Sequence, residues 1–165
     1  PDPFVTLYLK GYLSTATLIT RRDLVLKAGG FDENLLNAQD FELWLKILSD
    51  REVRFAVFDE YLMRYHVSEG SIMTNTERRI RCCLIVAGRY ATELKNRPGG
   101  VYRNLWFRTL IVHAEAFFAC RARGANVQAI LTLFRCAPAV AGITWRCLFK
   151  TVPSRANMRS NKQGS

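Results

Sequence analysis

Apolar residues recur at helical spacing through most of the second half of the chain, while only patches of the first half share that rhythm. Residues 4–19 mix apolar and β-branched types around Gly11, and the run Ala16–Ile19 reads as a strand. Thr20 with Asp23 three residues on forms a capping-box pattern, which predicts a helix over Arg21–Ala28 ended by Gly29-Gly30. A clearer helix follows. Asn37 is placed to cap it, Asp40 falls at its third position, and Phe41, Trp44, Leu45 and Leu48 make an i, i+3, i+4, i+7 stripe. Glu42 and Lys46 are an i,i+4 pair assigned to its outer face. Two short strands are expected near Val53–Val57 and Tyr61–Tyr65, and the polar stretch from His66 to Ser71 reads as a loop.

From Thr74 onward the pattern is helical alone. Thr74 and Glu77 repeat the capping box, and Ile80, Leu84, Ala87, Ala91 and Leu94 hold helical spacing up to Pro98-Gly99-Gly100. A long helix is predicted from Val101 to about Arg123, stopped by Gly124. Asn126 caps the next, with Val127, Ile130, Leu131 and Phe134 on one face, and Pro138 is expected to separate it from a last helix over Ala139–Lys150. The tail from Pro153 is polar and expected to be frayed. No internal repeat is evident. The longest apolar run, Cys136 to Trp145, is closed off by Arg135 and Arg146, short of the ~18 residues of a membrane span.

Charge divides the chain more sharply than hydropathy does. Residues 1–76 hold 8 Lys/Arg and 11 Asp/Glu, whereas residues 77–165 hold 16 Lys/Arg and only Glu77, Glu93 and Glu115. The first part is therefore suited to carboxylate chemistry, and the second to an anionic partner such as lipid headgroups, phosphates or nucleic acid. Five cysteines (82, 83, 120, 136 and 147) show no CxxC spacing, and the two histidines, His66 and His113, lie far from any cysteine cluster. Buried reduced thiols of a cytoplasmic protein explain them better than a zinc site. The start at Pro1-Asp2-Pro3-Phe4 reads as a cut from a longer polypeptide.

The most informative stretch is Arg21-Arg22-Asp23, then Gly29-Gly30-Phe31-Asp32-Glu33, then Gln39-Asp40-Phe41-Glu42-Leu43-Trp44-Leu45-Lys46. In order and spacing it resembles the second half of family 2 glycosyltransferases, and Tyr65, His66 and Ser71 resemble the loop that follows there. Two departures are visible: Lys46 stands where the family often has Arg, and Arg64 directly precedes Tyr65. The resemblance covers about residues 4–76. It implies an α/β fold class: a partial GT-A (nucleotide-diphospho-sugar transferase-like) domain over 1–76, then a basic α-helical extension over 77–152 and a disordered tail over 153–165.

By that resemblance Asp40 is the catalytic general base. An acceptor hydroxyl must lose its proton as it attacks the anomeric carbon, and a carboxylate beside it suits that task. A helix N-terminus favours the negative form. Capping alone would also explain an aspartate there. Trp44, one turn on, is a candidate acceptor-binding platform, with core packing as its other reading. Phe31 is expected in the core, and Asp32 and Glu33 are expected as turn residues. Arg64 and His66 fall where the family closes a loop over the donor diphosphate, an assignment that suits a guanidinium and an imidazole. His113 reads as an ordinary helix residue.

No GxxxxGK, GxGxxG or Asp-x-Asp occurs in the chain. The resemblance therefore implies that the donor nucleotide and a divalent metal (Mg or Mn) are held mainly by an upstream half, and that the metal-ligand set of this segment is empty. The implied partners are a nucleotide-sugar donor and a glycan or lipid-linked acceptor, without nucleic acid.

The basic helices interleave Arg with aromatics, as in Arg103, Trp106, Phe107, Arg108 and in Phe117, Phe118, Arg121. Such faces suit peripheral contact with anionic membrane or plain helix packing. The family inclines the reading to the membrane, at the inner face in the cytoplasm. The alternative function is a non-catalytic helical interaction module or a basic nucleic-acid-binding protein, although no DNA- or RNA-binding motif is present.

Overall fold

The computed structural model describes residues 2–11, 13–58, 60, 63–64 and 75–149. Its elements are α1 (Pro3–Lys10), α2 (Arg22–Ala28), α3 (Gln39–Leu48), α4 (Thr76–Arg89), α5 (Gly100–Ala122) and α6 (Asn126–Phe149), with 3-10 turns at Thr15–Thr17 and Thr92–Asn96. Among the described residues there is no β-strand, so the α/β expectation, and with it the partial GT-A domain, is overturned: the fold is all-α. The reason is local and visible. Leu18 is extended (φ −129°, ψ 135°), but it follows a 3-10 turn capped by Ser14, and no strand pairs with it among the described residues. Ala16 and Thr17 belong to that 3-10 turn, and Ile19, Phe55, Val57 and Phe58 are exposed, so the strands expected near Ala16–Ile19 and Val53–Val57 do not form among the described residues. β-branched and aromatic residues favour a strand only when a pleated neighbour covers them. The strand expected over Tyr61–Tyr65 lies largely outside the described residues.

Helix α1 is packed into the core. Asp2 caps it, accepting from the Val5 amide at 3.1 Å, and Pro3 occupies its first turn, where a missing N–H costs nothing. Phe4 and Tyr8 are fully buried, and the Tyr8 hydroxyl donates to the Ala87 carbonyl at 2.9 Å. Arg97 donates to both Asp2 carboxylate oxygens at 3.0 Å and stacks over the Phe4 ring at 4.2 Å. Around α1 the core gathers Leu35, Phe41, Leu43, Trp44, Leu45 and Ile47 from the first part with Val86, Ala87, Tyr90, Leu94, Leu105 and Ile143 from the basic part. The acidic and basic segments thus share one core.

Helix α4 is capped by Asn75, where Thr74 was expected, and ends at Arg89, short of the expected stop at Pro98-Gly99-Gly100. Helix α5 runs between Gly99 (φ 85°) and Gly124 (φ 74°) and buries Leu105, Arg108, Thr109, Val112, His113, Ala116 and Cys120. Arg108, grouped above with the exposed cations, is 1% exposed. Helix α6 passes through Pro138 unbroken, where a break was expected. Ala129, Thr132 and Ile143 are buried on both sides of the proline, and α6 packs along α5, with the Trp106 indole N–H donating to Thr144 Oγ1 at 2.9 Å. Packing along the whole length outweighs the hydrogen bond that proline removes. Because α6 is continuous, Asn126–Trp145 is long and apolar enough to cross a membrane, with 17% of it buried. The sequence reading had divided that run at Arg135 and Pro138.

Candidate functional site

The glycines of Gly29-Gly30 are left-handed (φ 82° and 68°) and end α2 as expected, turning the chain into Phe31-Asp32-Glu33. Thr20 does not cap α2; Arg21 occupies that position, and its guanidinium binds Asp23 instead. The turn is tied by Asp32, whose carboxylate accepts from the Asn34 amide at 3.0 Å and whose carbonyl accepts from the Leu35 amide at 3.1 Å. Asp32 is thus the turn residue the sequence suggested. It also receives Arg89 of α4 at 2.6 Å. Burial opposes its ionisation, but the hydrogen bonds from Arg89 and Asn34 outweigh that and hold its carboxyl below the usual carboxylate range.

The start of α3 differs from expectation. Asn37 is buried and does not cap the helix; the N-cap position belongs to Ala38, which has φ 62° and ψ 25° and makes no side-chain cap bond. Asp40 is consequently the second helical residue, with its Oδ1 accepting from the Phe41 amide at 2.8 Å. Among the described residues Ala38 is the one non-glycine with positive φ. Holding an alanine there costs ~1–2 kcal/mol, and such strain concentrates at functional positions.

Asp40 lines an open depression of about 460 Å³ together with Thr15, Phe31, Asp32, Glu33 and Asn37. Three carboxylates from two separate turns therefore border one space. Phe31 is 49% exposed and borders it too, so its expected place in the core is corrected. Trp44 is in the core at 5% exposure, does not line the depression, and its indole N–H has no partner among the described residues. Packing is the role its position shows.

Glu42 and Lys46 do pair, at 2.8 Å, but Glu42 is buried, where an outer face was expected. The Tyr90 hydroxyl donates to Glu42 Oε1 at 3.0 Å, and Arg89 lies 3.9 Å from the same oxygen. Arg89 therefore bridges the turn at Asp32 and the buried carboxylate of α3. Nothing local in the sequence marks it, since it stands 57 residues from Asp32.

Arg64 is exposed and does not border the depression, and His66 lies outside the described residues. His113 is buried, its Nδ1 2.7 Å from the Thr109 carbonyl, as a satisfied helix residue would be. Among the described residues no group of three or more His, Cys, Asp or Glu is placed to hold a metal ion. The bordering carboxylates do not make a metal-ligand set. Cys82, Cys83 and Cys120 are buried free thiols, and burial pushes the Cys83 thiol up despite the nearby Arg108. Comparison of the chain with protein-family models, curated proteins and solved structures finds no match.

Proposed function

We propose that this chain supplies the acceptor side of a sugar-transferring site, with Asp40 as the general base that accepts the proton of an acceptor hydroxyl as it displaces a nucleoside diphosphate. The observation that carries the reading is the convergence of Asp40, Asp32, Glu33 and half-exposed Phe31 on one open depression. These residues belong to the Gly-Gly-Phe-Asp-Glu and Gln-Asp-x-Glu-Leu-Trp motifs that carry the resemblance to family 2 glycosyltransferases.

The chemistry divides naturally among them. Asp32 is fixed by Arg89 and Asn34 and shapes the turn, which leaves it unsuited to shuttle a proton. Asp40 is partly exposed and accepts only a neighbouring amide among its described bonds, so one carboxylate oxygen is available to an acceptor hydroxyl. Phe31 offers an aromatic face for a sugar ring, the part first assigned to Trp44. The diphosphate is left to Arg64 and His66 and to whatever donor-binding segment accompanies this chain.

The test is Asp40→Asn in the full encoded polypeptide, assayed for transfer from nucleotide-diphospho-sugars to glycan or lipid-linked acceptors. The expected outcome is a fall in turnover of ~10²-fold or more with donor affinity and helix content retained, the usual scale for losing a general base. Turnover near wild type with α3 intact would reduce Asp40 to a helix-terminal residue.

A further inference from the structure

Helix α6 turns Ala129, Thr132 and Ile143 inward and leaves most of its large apolar residues outward. Ala129, Thr132 and Ile143 are buried along α5, whereas Val127, Ile130, Phe134, Trp145 and Leu148 are 53–74% exposed. At 100° per residue these five positions fall within about 60° of one another around the helix axis. They form one stripe through more than five turns, with only Ala141 between Phe134 and Trp145 on the same line. No charge interrupts it: Arg135 is on the flank and paired with Glu77 at 3.3 Å.

We propose that this stripe is a membrane-docking surface on which α6 lies in the plane of an anionic bilayer, its large apolar side chains at the acyl boundary. The inference stands apart from the transferase reading. Its argument rests on charge. After Glu115 the chain has eight Lys/Arg and no Asp or Glu. A second copy laid against the stripe would bring together two chains of formal net charge +10, a like-charge pairing that disfavours docking. An anionic lipid surface supplies the missing counter-charge, while the stripe adds apolar burial.

The hairpin also decides orientation. Helix α6 is long enough to span, but its inner strip is held by α5, which carries buried Asn104, Arg108 and His113 and the Glu115–Arg79 ion pair. Spanning would require α6 to leave that partner and would strand Arg135 in hydrocarbon. Lying in the interface keeps the hairpin intact.

The experiment is co-sedimentation of the chain with vesicles of phosphatidylcholine alone or with a third phosphatidylglycerol, at low and high salt. Expected are binding to the anionic vesicles at least ~10-fold stronger than to neutral ones, weakening with salt, and loss of most binding in Phe134→Glu with helix content unchanged. Should that variant unfold, the intact chain still tests the proposal: brominated lipids should quench the fluorescence that Trp145→Phe removes, and only when bromine is near the headgroup end. Equal binding to neutral and anionic vesicles, strongest quenching from the bilayer centre, or a dimer in lipid-free solution that Phe134→Glu dissolves would each overturn the in-plane membrane assignment.

Discussion

The guanidinium of Arg89 on α4 meets the carboxylate of Asp32 at 2.6 Å, fastening the turn that borders the candidate site to a helix of the basic segment. Asp32 is mostly buried in this contact and its carboxyl is held below the usual range. A carboxylate whose folded value is depressed adds stability above its unfolded value, about 3.9, and loses it as pH falls through the folded value.

Asp32→Asn should therefore cost about 1–3 kcal/mol at neutral pH, the scale of a hydrogen bond to a charged group. The difference from wild type should shrink progressively below about pH 4, because the native carboxylate is then being protonated as well. Urea unfolding at a series of pH values checks this. A difference that stays constant down to pH 2 would mean that Arg89 contributes nothing through charge.

Two glycines with similar backbone angles should behave very differently. Gly11 has φ 66°, and a Cβ there would sit 2.3 Å from Arg108 Nη2, whereas Gly29 has φ 82° with nothing within 4 Å. Gly29→Ala should cost only the left-handed penalty, about 1–2 kcal/mol. Gly11→Ala should cost that and the displacement of a buried guanidinium, and so lower the melting temperature at least twice as far. Equal shifts in scanning calorimetry would show that the Arg108 side chain yields freely.

Arg108 itself is a buried cation that caps α1 from another helix. Its Nη1 donates to the Leu9 and Lys10 carbonyls at 3.2 and 3.3 Å, and its guanidinium lies over the Phe41 ring at 4.8 Å. Lysine has neither the planar fork nor the stacking face. Arg108→Lys should therefore recover little of the loss in Arg108→Ala, which should be about 2–4 kcal/mol for removing a buried hydrogen-bonded charge. Denaturant midpoints of the two variants, read against wild type, decide this.

What was legible in the sequence follows the reach of each signal. The glycine stops of α2 and α5 and the apolar face of α3 depend on neighbours within a few residues, and the structure has them. Asp2-Pro3 is an equally local start signal for α1, yet the mixed apolar and β-branched residues after it, without a clear period, assign no element to residues 4–10. The strands were misread because their apolar residues say only that a partner is wanted, and none is at hand among the described residues. Pro138 was overruled by α5, a helix whose contribution no window around the proline contains. Asp40 lies on the lining of the depression, but Phe31 and Trp44 exchange the places expected of them, since burial is decided by contacts distant in sequence. Arg89 gave no local sign at all.

That exchange yields the last prediction. Trp44 is 5% exposed within the core, so Trp44→Ala should cost about 3–5 kcal/mol of stability, the usual loss for emptying a large aromatic site. Phe31 is 49% exposed at the rim of the depression, so Phe31→Ala should cost well under half of that. The functional effects should run the other way if Phe31 carries the acceptor ring. In the full encoded polypeptide, Phe31→Ala should raise the acceptor KM several-fold with little change in donor KM, and Phe31→Tyr should restore most of it by keeping an aromatic face. Steady-state kinetics at saturating donor, paired with thermal unfolding of the same samples, separates the two residues. An acceptor KM unmoved by Phe31→Ala would leave the depression without its aromatic platform and place acceptor binding elsewhere.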